Sequence, residues 1–485
     1  MKTVKIKPLE TNSKLIVLGF YEDKKELSEI QMELDKKFLG VISSNILKNF
    51  SGKFNEILTF PLENGVKIVA LGLGKYGEFT SKKLRELIVK NYSSIQKLAA
   101  DGTISFEHIL NDNVCKKCLI SSVPLGVNLG NYKFDKYKTK KQDKKVENIE
   151  LLTLTDDSDL DDAINMAEII SNSMNFTKDL VFESAEIMTP NKVSEIATDL
   201  AKNYGIEIKV YNKNELKEMG FNAFLAVGQG SVQEPKFIHL TYKSENPKKK
   251  VALIGKGITF DSGGLDIKPP SSMLTMKTDM TGCATVLGVM KAICELKPEI
   301  ELHVMSALCE NMPSGSSYKV GDVLISKSGK TIEVDNTDAE GRLTLADVLT
   351  YADSINPDEV IDIATLTGAV IVALGNNITG IMGNNQDMID EFKEVCKLTG
   401  EPVWQLPIFD DMQDNLKSDI ADMKNTGPRY AGSSVAGRFL ENFTQSKKWL
   451  HIDIAGTAYI DKPYSELQKG ATGVMVRSLV KYLTK

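Results

Sequence analysis

The chain has 485 residues, too many for one typical hydrophobic core, so two domains are expected. Its 42% hydrophobic and 26% charged content are ordinary for a soluble globular protein, and a net charge of −6 argues against a general nucleic-acid binder. No apolar run reaches membrane-spanning length, residues 1–9 lack the apolar core of a signal peptide, and six scattered cysteines read as reduced thiols, so a cytoplasmic protein is expected.

Residues 1 to about 155 read as an α/β domain. KLIVLGF (14–20) and VKIVALGLG (66–74) have the continuous apolar character of buried strands, while KELSEIQMELDKKF (25–38) and SKKLRELIVKNYSSIQKL (81–98) show helical periodicity. GLGK (72–75) lacks the glycine fingerprint of a phosphate loop and reads as a strand-to-helix turn. Cys115 and Cys118 form a lone Cys-x-x-Cys with no second pair at zinc spacing, which leaves a metal or redox role without support.

The lysine-rich YKFDKYKTKKQDKK (132–145) reads as solvated surface beside a domain boundary. LDDAINMAEIISNSMNFTKDL (160–180) follows with apolar residues at helical spacing. From about 178 onward, strand candidates IEIKVYN, FIHLTYK, VALIG, ELHVMSALC, EVIDIATL and WLHIDIAG alternate with helices such as GCATVLGVMKAICEL (282–296). That alternation predicts a largely parallel sheet covered on both faces.

The chemistry is concentrated between Val251 and Arg342. VALIG is read as a buried strand ending at Lys256, and ITFDSGG as a loop at its carboxyl end, where open α/β sheets bind ligands. Lys256, Asp261, Asp279, Asp338 and Glu340 supply oxygen donors and one amine, with Lys268 and Arg342 as further cations. Taken singly, each has an ordinary reading: Asp338 and Glu340 as caps of the helix RLTLADVLTYA (342–352), Asp261 as a turn residue, Lys256 as a solvated strand end. Four carboxylates gathered near a sheet edge repel one another unless cations intervene, and a metal pair resolves that conflict. The four histidines are spread singly with no His-Glu-x-x-His, which makes a zincin helix or a serine-type triad unattractive.

KGITFDSGG (256–264), IKP (267–269), MKTDM (276–280) and NTDAEGR (336–342) resemble the leucyl aminopeptidase family, the M17-type two-metal peptidases, in residue type and spacing. The resemblance extends to YKFDKYK (132–138), FNAFLAVGQGS (221–231), ATLTGA (364–369), SDIADMKN (418–425) and WLHIDIAG (449–456), so it covers most of residues 130–485. VFESAEIMTP (181–190) departs from it, standing where relatives usually carry an Asn-x-Pro-type turn.

The resemblance implies an α/β fold with an N-terminal α/β (macro-like) domain at 1–155, a linker helix at 156–177 and a larger catalytic domain at 178–485 with a mostly parallel, helix-flanked sheet. It implies two divalent metal ions per subunit, Mn²⁺ or Zn²⁺, with Asp261 and Glu340 bridging, Asp338 completing the more exchangeable site, and Lys256 with Asp279 completing the tighter one. A ligating lysine must be neutral, so its pKa is expected to be pushed down by burial and adjacent cations. Arg342 is expected to hold a bicarbonate ion as general base, and Lys268 to donate to the developing oxyanion. Met276, Thr365 and Leu366 match positions lining the pocket for the first side chain, with Leu or Met fitting there. The expected activity is release of N-terminal residues from peptides by a homo-oligomer, a hexamer in the family. A DNA-binding or regulatory protein on the same scaffold and a different two-metal hydrolase are the alternatives.

Overall fold

In the computed structural model, which describes residues 1–140 and 146–485, the chain forms two compact units. One comprises Met1–Asn172 with Pro463–Gln468, the other Ser173–Lys462 with Lys469–Lys485. The end of the lysine-rich 132–145 stretch, residues 141–145, lies outside the described residues.

The first unit is built on six strands: β1 (Lys2–Ile6), β2 (Leu15–Tyr21), β3 (Ile57–Pro61), β4 (Lys67–Gly74), β5 (Thr103–Glu107) and β6 (Asn148–Leu152). They lie in the order β1-β6-β5-β2-β4-β3, parallel except at the β3–β4 edge. Along β2, Leu15 and Val17 enter one apolar cluster and Ile16 and Leu18 another, so both sheet faces are covered and the strand reads as an unbroken apolar run. The helix expected from residue 25 starts at Glu29, because Ser28 and Gln31 make a reciprocal capping box there. Cys115 caps the helix Lys116–Asn131, its sulfur accepting the Cys118 backbone N–H at 3.3 Å, which gives the Cys-x-x-Cys an ordinary structural use.

In the second unit the strands include β7 (Glu207–Tyr211), β8 (Lys236–Lys243), β9 (Lys250–Gly255), β10 (Gly257–Asp261), β11 (Glu301–Asn311), β12 (Val323–Ile325), β13 (Thr331–Glu333), β14 (Glu359–Ala364), β15 (Thr379–Gly383), β16 (Val403–Gln405), β17 (Met423–Lys424) and β18 (Trp449–Asp453). The main sheet runs β16-β15-β18-β14-β9-β11-β8-β7, with β10 also on β11. β18, β14, β9, β11 and β10 are mutually parallel, while β7–β8, β8–β11 and β15–β18 pair antiparallel. Five carboxyl ends therefore share one sheet edge, and every motif of the 256–342 region hangs from it or faces it.

One expectation fails here: ITFD is a strand, not a loop. β11 is eleven residues long, far longer than β9, so beyond Met305 its backbone groups need another partner. Gly257–Asp261 supplies it, with a bulge at Ile258/Phe260, and its β-branched and aromatic residues suit a strand. The divergent 181–190 segment closes the helix Ser158–Phe182 with a turn onto Ser184 O and then lets Thr189 cap the helix Pro190–Tyr204.

Candidate active site

Lys256 stands between β9 and β10, where the chain crosses from one strand to the next at the shared edge. Its Nζ lies 2.8 Å from Asp279, 2.8 Å from Glu340 Oε1 and 3.0 Å from the Thr365 carbonyl. Asp279 sits on the 3₁₀ turn Met276–Met280 and Thr365 follows β14, so three separate segments converge on one amine. Gly341 makes this possible: a Cβ there would fall 2.3 Å from Lys256 Cε.

Glu340 occupies the cap position of the helix Gly341–Asp353 yet makes no side-chain cap bond, so the ordinary capping reading does not account for it. Its carboxylate turns to Lys256 instead. Asp261 ends β10 and is held by Gly263 N–H and Asn311 Nδ2, each at 2.9 Å. Lys268 reaches Asp261 at 2.7 Å and Asp338 at 2.5 Å. Carboxylate oxygens of Asp261, Asp338 and Glu340 all lie within 4.8 Å of one another. Arg342 is buried, donating from Nη1 to Asn425 O at 2.9 Å while its Nε has no partner among the described residues. Met276, Thr365 and Leu366 are half-buried; Met276 shares the 3₁₀ turn of Asp279, and Thr365 Oγ1 donates to Asp279 Oδ1 at 2.7 Å.

Burial dominates the electrostatics. It raises the carboxyls of Asp261, Asp279, Asp338 and Glu340, and mutual repulsion adds to it. Burial alone would favour a neutral Lys256, but Asp279, Glu340 and Asp261 outweigh it and hold the amine well above its usual value. The expected depression is thus reversed: with carboxylates as its charged neighbours the lysine keeps its proton, and a divalent cation would have to displace it. Burial lowers Arg342 to about 10, still cationic at neutral pH.

The donor set suits a divalent cation. Four carboxylates face two ammonium groups, leaving two negative charges uncompensated by lysine. Asp279 Oδ2 and Asp338 Oδ1 lie at ion-pair distance from lysine nitrogens, but neither accepts a well-aligned hydrogen bond. Oxygen donors with one amine fit Mn²⁺ or Zn²⁺ better than Ca²⁺. Lys256, Asp279 and Glu340 side chains are almost wholly buried, whereas Asp338 is 32% exposed, which makes Asp338 the open side of the cluster.

Several further residues hold the site together without being donors to it themselves. Asn311 ties Asp261 to the Thr337 carbonyl, and Thr337 exchanges hydrogen bonds with Asp266 and Gly263. Asn425 accepts from Asp335 N–H and donates to Asn336 O, fixing the start of the NTDAEGR loop. Each bonds a partner far along the chain, so no local pattern announces that role.

Comparison with known proteins gives one answer. Residues 175–480 match the catalytic domain of the cytosol aminopeptidase family and residues 17–141 its N-terminal domain. A probable cytosol aminopeptidase of Persephonella marina is 43% identical over 97% of this chain and 96% of its own length. One from Aquifex aeolicus is 42% identical over 97% and 95%. Among solved structures, a tomato leucine aminopeptidase mutant superposes with a TM-score of 0.88 at 32% identity, covering 99% of this chain and 95% of that one. The bottromycin maturation enzyme BotP in complex with Mn gives 0.86 at 28% identity, covering 97% and 99%. With a two-unit α/β fold, an acid cluster built for divalent metal and matches across both domains, the chain belongs to the cytosol aminopeptidase family and is a metal-dependent aminopeptidase.

Proposed function

We propose that the protein removes the N-terminal residue of peptides, preferring an apolar one such as leucine, with two divalent ions, Mn²⁺ or Zn²⁺, per subunit. The observation that carries this is the convergence of Asp261, Asp338 and Glu340 within 4.8 Å beside Lys256 and Lys268. In this reading Asp261 and Glu340 would hold both ions, Asp338 would complete the more exchangeable site, and Lys256 with Asp279 would complete the tighter one. The exposure of Asp338 against the burial of Lys256 and Asp279 supports that division. When bound, such a pair supplies Lewis acidity toward a carbonyl and a water of lowered pKa.

The protein's own groups do the rest. Lys268, partly buried beside Asp338 at the open side, donates to the oxyanion that forms when the scissile carbonyl is attacked. Arg342, at a helix start and with an Nε that has no partner among the described residues, holds a planar anion, bicarbonate, that takes the proton from the attacking water. Met276, Thr365 and Leu366 form an apolar-edged wall for the first side chain. The division at 1–155, 156–177 and 178–485, a hexameric assembly and a cytoplasmic location complete the reading. Among the described residues no helix is long and apolar enough to cross a membrane.

Metal-stripped protein tests it directly. Leucine amide hydrolysis should be absent after chelation and return on adding Mn²⁺, Zn²⁺ or Co²⁺, with leucine and methionine amides ahead of glycine and aspartate amides. Activity on aryl phosphates with none on aminoacyl amides would place the chain's chemistry elsewhere.

A further inference from the structure

β18 carries three polar or amphipathic residues on one face, Trp449, His451 and Asp453, alternating with Leu450 and Ile452. All are fully buried, which no surface role explains. On the neighbouring strand β14, Asp362 pairs in register with His451, and Ala364 with Asp453. Asp362 accepts from Trp449 Nε1 at 2.7 Å and lies 2.5 Å from His451 Nδ1. Asp453, at the end of the strand, points its carboxylate at the turn that follows β14. Leu366 N–H donates to Oδ1 at 3.2 Å, Thr367 Oγ1 donates to Oδ2 at 2.6 Å, and Ala455 N–H adds a third bond at 3.2 Å. Thr367 also caps the helix Gly368–Leu374 and meets Ser433 Oγ at 2.8 Å.

That turn is where the active site is set. Thr365 gives its carbonyl to Lys256 Nζ and its hydroxyl to Asp279, both to Oδ1 and to the backbone oxygen. We propose that Asp453, backed across the sheet by the His451–Asp362 pair, is a positioning residue that fixes the 365–367 turn and through it seats Lys256 and Asp279. The arrangement alternates in sign, from Asp362 to His451 to Asp453, with the Arg342 guanidinium beyond, so each buried charge has an opposite neighbour. Burial lowers the His451 imidazole, but Asp362 and Asp453 outweigh it and raise it, while burial raises the Asp453 carboxyl against the pull of His451. A neutral residue at 453 would keep the shape and lose the double acceptor that holds Leu366 and Thr367 together.

The inference rests on the roles proposed above for Lys256 and Asp279, and the test separates the two. Asp453→Asn is compared with the parent by hydrogen exchange of the amides at 365–370 and by steady-state hydrolysis of leucine amide with Mn²⁺. Exchange in that segment should rise by about 10-fold or more, and kcat should fall by about 10- to 100-fold with KM little changed, the scale of a small displacement of catalytic groups. Should Asp453→Asn not fold, Thr367→Val stands in: it should show the same split, and Thr367→Ser, which keeps the hydroxyl, should recover most of it. Unchanged exchange at 365–370, or raised exchange with kcat intact in an active parent, would overturn the proposal. A parent unable to cleave leucine amide with any of the three metals would instead overturn the function, while exchange still decides whether Asp453 holds the turn.

Discussion

At the scale of single residues, the site is a balance between burial and charge. Removing Asp338 takes one donor from the exposed side of the cluster and leaves Lys268 with Asp261. Asp338→Ala should therefore reduce activity by about 10²-fold or more, lose about one bound Mn²⁺ per chain and melt within a few degrees of the parent. Full activity with undiminished metal would remove Asp338 from the ligand set. Lys268→Ala should lower kcat by about 10²-fold with metal content unchanged, as for a lost oxyanion donor. Lys256 makes the third case. Its carboxylate neighbours hold the proton on, so in the proposed ligand set metal loading has to release it. Titrating Mn²⁺ into stripped protein in a weakly buffered dye should liberate protons, and Lys256→Met should abolish about one of them per chain.

At the scale of elements, the helix Gly341–Asp353 does two jobs. Its first residue must be glycine because of Lys256, so Gly341→Ala should displace the lysine and cost metal affinity and activity together. Further along, Asp347 is buried and accepts Lys327 N–H at 2.7 Å and Phe224 N–H at 2.9 Å. Burial lifts its carboxyl from 3.8 to about 7 in spite of those bonds. The folded chain thus keeps a proton there that the unfolded chain has released, so this contribution to stability is present below about pH 4 and lost as pH rises toward 7. Melting temperature should fall across that window, and Asp347→Asn should flatten the slope; parallel curves for parent and variant would contradict the assignment. The elements readable in the sequence were those with a local signature: the apolar runs of β2, β4, β9 and β14, and the periodic helices 81–98 and 282–296. β10 was hidden because its reason to exist is the length of β11, some fifty residues later. β17 is hidden for the same cause, pairing with β13 from about ninety residues further on, while β12 and β13 form a local hairpin too short to show an alternating pattern. The ligand candidates are legible because their spacing recurs in a family, whereas the roles of Asn311, Asn425 and Asp453 rest on bonds to residues far along the chain.

At the scale of the whole molecule, the proposed hexamer of 53.5 kDa chains has a mass of about 321 kDa. Light scattering on the eluting species should report that value, and a monomer that retains full activity would show that assembly is not needed for the chemistry. The central claim concerns the end of the substrate that is recognised. A cluster of acids and divalent ions that accepts a free α-amine must reject an acylated one, because acetylation removes the basic lone pair and adds bulk at the deepest point of the site. The α-amine of a free substrate has a pKa of about 8, so a fair share is neutral in mildly alkaline buffer. The decisive measurement is the rate of hydrolysis of leucine amide against N-acetyl-leucine amide, at matched concentration and saturating Mn²⁺. The account predicts rapid cleavage of the first and a loss of about 10³-fold or more on the second. Comparable rates would contradict it, leaving a metallohydrolase with no claim on peptide N-termini.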